Sequence, residues 1–213
     1  MDEEISIIDA KTRNEKVKDF IINNKKRIVI LSIIFIIIFL SFFGLKINKD
    51  TKRKQISQIY NTAIIDYSNG NVDSAREMLS MIVREKDSTY SPLALYFIID
   101  NNLKKNQEIN NFFDILINNT SLEDEIKNLI IYKKALYNAD NANEAELLKI
   151  LQPLINSKSV WKSHALYLVA EYFYSKNEKK KSKEFYEKIL DINNANQDII
   201  LAAQKRLNRD LSE

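Results

Sequence analysis

Cysteine is absent from this chain, which excludes disulfides, thiol nucleophiles and thiolate metal ligands. Glycine occurs only at Gly44 and Gly70, so no glycine-rich phosphate loop can be built. Proline occurs only at Pro92 and Pro153. A sheet protein of 213 residues needs more turn glycine and proline than this, and the shortage predicts an all-helical fold. The one histidine, His164, has no second histidine or cysteine with which to complete a metal site or a nucleophilic set. No catalytic residue, metal or cofactor is therefore expected, and the chain reads as a non-enzyme. A net charge of +3, with no arginine cluster interleaved with aromatics, gives no reason to expect a nucleic-acid partner.

Charge is also missing from Ile28 to Leu45, IVILSIIFIIIFLSFFGL, an 18-residue run of mostly Ile, Leu, Val and Phe. Its length and the lack of a polar face predict a membrane-spanning helix over 28–47 rather than a buried core helix. The run is too long for a signal-peptide core, and no small-residue cleavage site follows it. The expected organisation is a tail at 1–27, a span at 28–47 and a folded domain at 48–213. Lys25, Lys26 and Arg27 beside the span favour a cytoplasmic N-terminus by the positive-inside rule. The basic residues from Lys46 to Lys54 on the other flank weaken that preference. The expected location is a bacterial inner membrane, single-pass, with the domain in the periplasm. The alternative orientation leaves the domain cytoplasmic.

Beyond the span, helical periodicity recurs over about 52–68, 72–86, 91–104, 107–118, 122–139, 143–156, 159–175, 179–192 and 195–210, with Asn-, Asp- and Ser-rich breaks between. Gly70-Asn71-Val-Asp-Ser-Ala75 resembles the turn between the two helices of a tetratricopeptide repeat, whose alanine lets the helices cross closely. With Gly70 as the turn position, equivalents fall at Asn106, Ala142 and Asn177, at intervals of 36, 36 and 35 against the ~34 of that repeat. The expected fold is thus a tetratricopeptide-like solenoid of helical hairpins, capped by the last helix.

Ten residues before each turn position stands a tyrosine: Tyr60, Tyr96, Tyr132 and Tyr167. Tyr67 and Tyr174 continue the stripe, and His164 shares a helix face with Trp161 and Leu168. First helices line the concave side of this repeat, so these seven residues form the candidate peptide-binding groove. Packing between neighbouring repeats explains the same aromatics equally well.

Residues 147–207 carry a further likeness in Leu151-x-Pro153-Leu154, in Trp161 opening an Ala-rich helix, and in the closing Ala203-Gln204-x-x-Leu207. In these features and in its layout the chain resembles bacterial membrane-anchored tetratricopeptide-like proteins, the group that includes the ancillary subunit of the Sec translocon. The resemblance implies an adaptor without catalytic residues, whose periplasmic domain links the translocon to chaperones or client polypeptides. The competing expectation is a scaffold for envelope assembly or cell division with one fixed partner.

Overall fold

The computed structural model describes residues 18, 20, 22–193 and 195–211, with the side chains of residues 28, 42 and 44–46 outside the description. The expected tail at 1–27 lies largely outside the described residues. The chain divides into two units, Met1–Gln55 and Ile56–Glu213.

The described residues form nine helices and no strand, so the all-helical expectation holds. These are α1 (Lys25–Ser68), α2 (Val72–Arg84), α3 (Tyr90–Asp100), α4 (Asn106–Asn119), α5 (Asp124–Asn138), α6 (Glu144–Ile155), α7 (Lys162–Ser175), α8 (Lys179–Leu190) and α9 (Gln197–Asp210).

The membrane-spanning helix expected over 28–47 is corrected. Among the described residues no helix is long and apolar enough to cross a membrane. No helix ends at the expected boundary either, because α1 is a single helix of 44 residues. The single-pass inner-membrane location loses its support with the span. Within the first unit the large apolar side chains of α1 are exposed, Phe35 at 69% and Ile38 at 63%.

The second unit is built from hairpins. The end of α1 with α2, then α3 with α4, α5 with α6 and α7 with α8, pack as consecutive pairs, and α9 closes the last pair against α7 and α8. First helices also meet the next first helix, α5 on α7 and α7 on α9, while α2 meets α4. The core is a series of three clusters along the chain. The seams share side chains: Ile117 belongs to the first and second clusters, Ile155 and Phe185 to the second and third.

Three first helices end in the same way. Gly70 (φ 86°), Asn102 (φ 51°) and Asn177 (φ 61°) adopt left-handed backbone. The next N–H reaches back five residues in each: Asn71 to the Asp66 carbonyl (2.9 Å), Leu103 to Ile98 (2.9 Å) and Glu178 to Phe173 (2.9 Å). This is the Schellman stop, and asparagine is the side chain that best replaces glycine in it. The turns expected at Gly70 and Asn177 are in place. The second left-handed residue is Asn102, and Asn106 instead opens α4. The hairpin of α5 and α6 turns without a left-handed residue, yet Ala142 keeps the same five-residue distance to a buried second-helix residue, Leu147, as Gly70 to Ala75 and Asn177 to Ser182.

Burial gives the register directly. Each second helix includes among its buried residues a set of three spaced four and three apart: Ala75, Leu79 and Ile82; Ile109, Phe113 and Leu116; Leu147, Leu151 and Leu154; Ser182, Tyr186 and Ile189. These sets recur at 34, 38 and 35 residues, not the 36, 36 and 35 that the tyrosines keep. Ser182 takes the small-residue place, where its hydroxyl donates to the Ala170 carbonyl at 2.9 Å.

Candidate functional site

The stripe of tyrosines lies partly buried along the first helices. Most of its rings bridge neighbouring hairpins, while Tyr167 packs within its own. Tyr60 packs on Tyr90 (5.8 Å between centroids) and Tyr67 meets Phe97 edge-on (5.1 Å). Tyr96 carries the Lys133 ammonium over its ring at 4.6 Å, and burial raises its hydroxyl pKa to about 12. Tyr132 stacks on Trp161 at 5.7 Å. Tyr167 packs against Tyr186 (5.5 Å), and Tyr174 lies under the Arg206 guanidinium (4.7 Å). Of the expected groove residues, Tyr132 and His164 come together, 5.8 Å apart with Trp161 beside them. Most of the other rings spend much of their area joining one hairpin to the next.

His164 Nδ1 is buried and has no hydrogen-bond partner among the described residues. Burial lowers its pKa below the ordinary value, against a smaller opposing pull from the Val160 backbone. The folded state therefore holds a neutral imidazole and takes up a proton later than the unfolded chain on acidification. Stability falls as the pH drops below the unfolded value of about 6.5. Between pH 7.5 and 5 the urea midpoint should decline, and His164→Phe should reduce that decline. An equal decline in the variant would assign the pH dependence elsewhere.

A separate cleft lies in the layer of second helices. It has a volume of about 660 Å³ and is walled by α4 and α6, with α5 as its floor. Ile117, Ile131, Ile150 and Pro153 supply apolar surface. Asparagines supply the polar surface. Asn110 and Asn138 face each other as an amide pair, each Nδ2 donating to the other's Oδ1 at 3.0 and 2.9 Å. Their remaining N–H groups go to the Asn106 and Lys134 carbonyls, so one lone pair on each Oδ1 stays open to the cleft. Asn118 and Asn141 line the same space, and their amides bond to no other described residue.

The charges in the cleft are mostly committed. Asp114 accepts from Lys134 at 2.7 Å. Glu146 closes the N-terminal capping box of α6 with Asn143. Lys149 is exposed and has no ion partner among the described residues. No group of His, Cys, Asp or Glu among the described residues is arranged to hold a metal ion.

Spacing along the chain does not reveal this cleft. Asn110 and Asn138 lie 28 residues apart, which is not a multiple of the repeat. Asn141 falls in a break that reads as ordinary loop chemistry. A signal is present all the same: four asparagines fall on one side of two consecutive hairpins.

No family model, curated protein or solved structure matches this chain.

Proposed function

We propose that the folded unit is a non-catalytic protein-interaction domain, an adaptor that holds a segment of another polypeptide. The observation that carries this reading is the cleft between α4 and α6. Its volume of about 660 Å³ falls within the ~300–1,000 Å³ usual for ligand sites. Its lining joins aliphatic side chains to open amide groups, the two surfaces that a polypeptide itself presents. Stacked hairpins suit this task, because each contacts mainly its neighbours and the array leaves long surfaces open between helices. Translocon subunits and chaperones are the partners that the family resemblance implies. A fixed assembly or division partner is the competing outcome.

The test is crosslinking in the cell with a photoreactive residue at position 149 or 118, followed by affinity recovery of the full-length protein and mass spectrometry. Partner polypeptides joined at these positions, and not at exposed control sites such as Leu201, are the expected result. Crosslinks spread evenly over cleft and control sites would overturn the reading. Many clients in small amounts would fit a handing-on role, and one stoichiometric partner a scaffold.

A further inference from the structure

Resting on that reading, we infer that the second-helix layer binds an extended, acidic peptide. The cleft does not end at α6. A second hollow of about 430 Å³ shares Lys149 with it, and a third of about 320 Å³ shares Ile155 and Lys188 with the second. Together they form a track from α4 across α6 to α8. A track joined in this way suits a chain laid along it better than a compact small molecule.

The unpaired charge on the track is mainly positive. Lys149 stands where the first two hollows join, Lys188 where the second and third join, and Lys162 in the third. None of these ammonium groups has a carboxylate within ion-pair distance among the described residues. The Lys188 ammonium lies over the Phe185 ring at 4.3 Å. Asp114 and Glu146 are already engaged by Lys134 and the α6 cap, which leaves Asp191 as the uncommitted carboxylate on the track. An acidic ligand complements this surface and a basic one does not.

The amides choose a peptide over other polyanions. A side-chain amide offers one acceptor and one donor face, the same pair that a backbone peptide group offers. Asn118 and Asn141 can therefore bond an extended backbone whatever its side chains. Lys149, Lys188 and Lys162 then select carboxylates along it, and Ile117, Ile150 and Pro153 accept an apolar side chain. Backbone and sequence are read by different residues, and their effects separate.

Fluorescence anisotropy on the full-length protein tests this with three labelled probes. The first is a peptide alternating glutamate with leucine and serine, the second has glutamine for every glutamate, and the third is an oligothymidylate of matched charge. The glutamate peptide should bind tightest. Lys149→Glu and Lys188→Glu, both at exposed positions, should each weaken it about fivefold to tenfold. They should leave the glutamine peptide nearly unchanged, with the urea midpoint as a fold control. Asn118→Ala with Asn141→Ala should weaken both peptides by the same factor. Failure of the glutamate peptide to bind, or its binding unaltered in the lysine variants, would overturn the inference. Equal binding of the oligothymidylate would also overturn it, in favour of a general polyanion surface. If crosslinking from position 118 recovers the same partners with and without Lys149→Glu, the adaptor reading stands and the acidic peptide falls.

Discussion

Phe173→Ala lowers the stability of the folded unit by about 4 kcal/mol, the middle of the range for deleting a buried phenylalanine ring. Phe173 is 1% exposed and belongs to the middle core cluster. Its ring stacks on Phe185 at 5.5 Å and meets Tyr172 edge-on at 5.7 Å. The Lys181 ammonium caps it at 4.8 Å, held by Glu144 and Glu178 at 2.9 and 2.8 Å. Phe185 also belongs to the C-terminal cluster, so the cavity opens at a seam. The walls are helices pinned by a Schellman stop and cannot collapse far into the space. Since domains of this size are stable by roughly 5–15 kcal/mol, the change removes a large part of the total. Urea unfolding followed by circular dichroism reads it. Hydrogen exchange adds a local expectation, that the amides of α7 to α9 lose protection before those of α2 and α3. A loss below about 1 kcal/mol would mean that the ring is not packed as described.

Arg206→Ala is the second large effect, at about 2 kcal/mol. Arg206 on α9 grips Glu171 on α7 with two bonds of 2.8 Å and Asp210 at 3.0 Å, and it covers the Tyr174 ring. The Tyr186 hydroxyl donates to the same Glu171 carboxylate at 2.6 Å. Removing the guanidinium leaves that carboxylate with tyrosine hydroxyls alone. The side chains of Arg206 and Glu171 remain 26% and 28% exposed, so the loss stays below the roughly 3–5 kcal/mol of a fully buried pair. Burial raises the Glu171 pKa, but hydrogen bonds from Arg206, Tyr186 and Tyr167 outweigh it and the net shift is downward. A depressed carboxyl pKa stabilises above the unfolded value, and that stabilisation is lost as the pH falls through the folded one. The gap between wild type and variant should therefore be full at pH 7 and shrink on acidification below the ordinary carboxyl range. Glu171→Gln should abolish most of the further loss caused by Arg206→Ala, as a double-mutant cycle would show. Additive losses would mean that the two side chains do not act together.

The helices were legible in the sequence because breaks such as Ser68-Asn69-Gly70-Asn71 carry turn chemistry of their own. The turn at Gly70 was readable from its one glycine, and Asn177 from its distance to the last hairpin. Asn102 was not, because asparagine also stands at 101, 106, 110 and 111 and nothing local marks which one turns left-handed. Placing that turn at Asn106 put Asn111, which is exposed, where the structure buries Ile109. The nearly even spacing of the tyrosines disguised this slip of two residues, since first and second helices keep different intervals. The cleft was invisible for a related reason. Asparagine and lysine are abundant throughout the chain, and only the separation of α4 from α6 turns a few of them into a lining. The apolar run misled in another way, because hydropathy marked its two ends as boundaries and α1 passes both without a break.

The serial core bears on how such a chain changes over generations. Adjacent clusters share few side chains, Ile117 at one seam, Ile155 and Phe185 at the other. A duplicated or deleted hairpin would have to reproduce only that small join, not a whole interior. The unequal intervals of 34, 38 and 35 residues between buried sets already show that connections of different length fit the same stack. Length is thus cheap to alter in this architecture, and copies of the domain with one hairpin more or fewer should fold from the same grammar of asparagine stops and buried triplets.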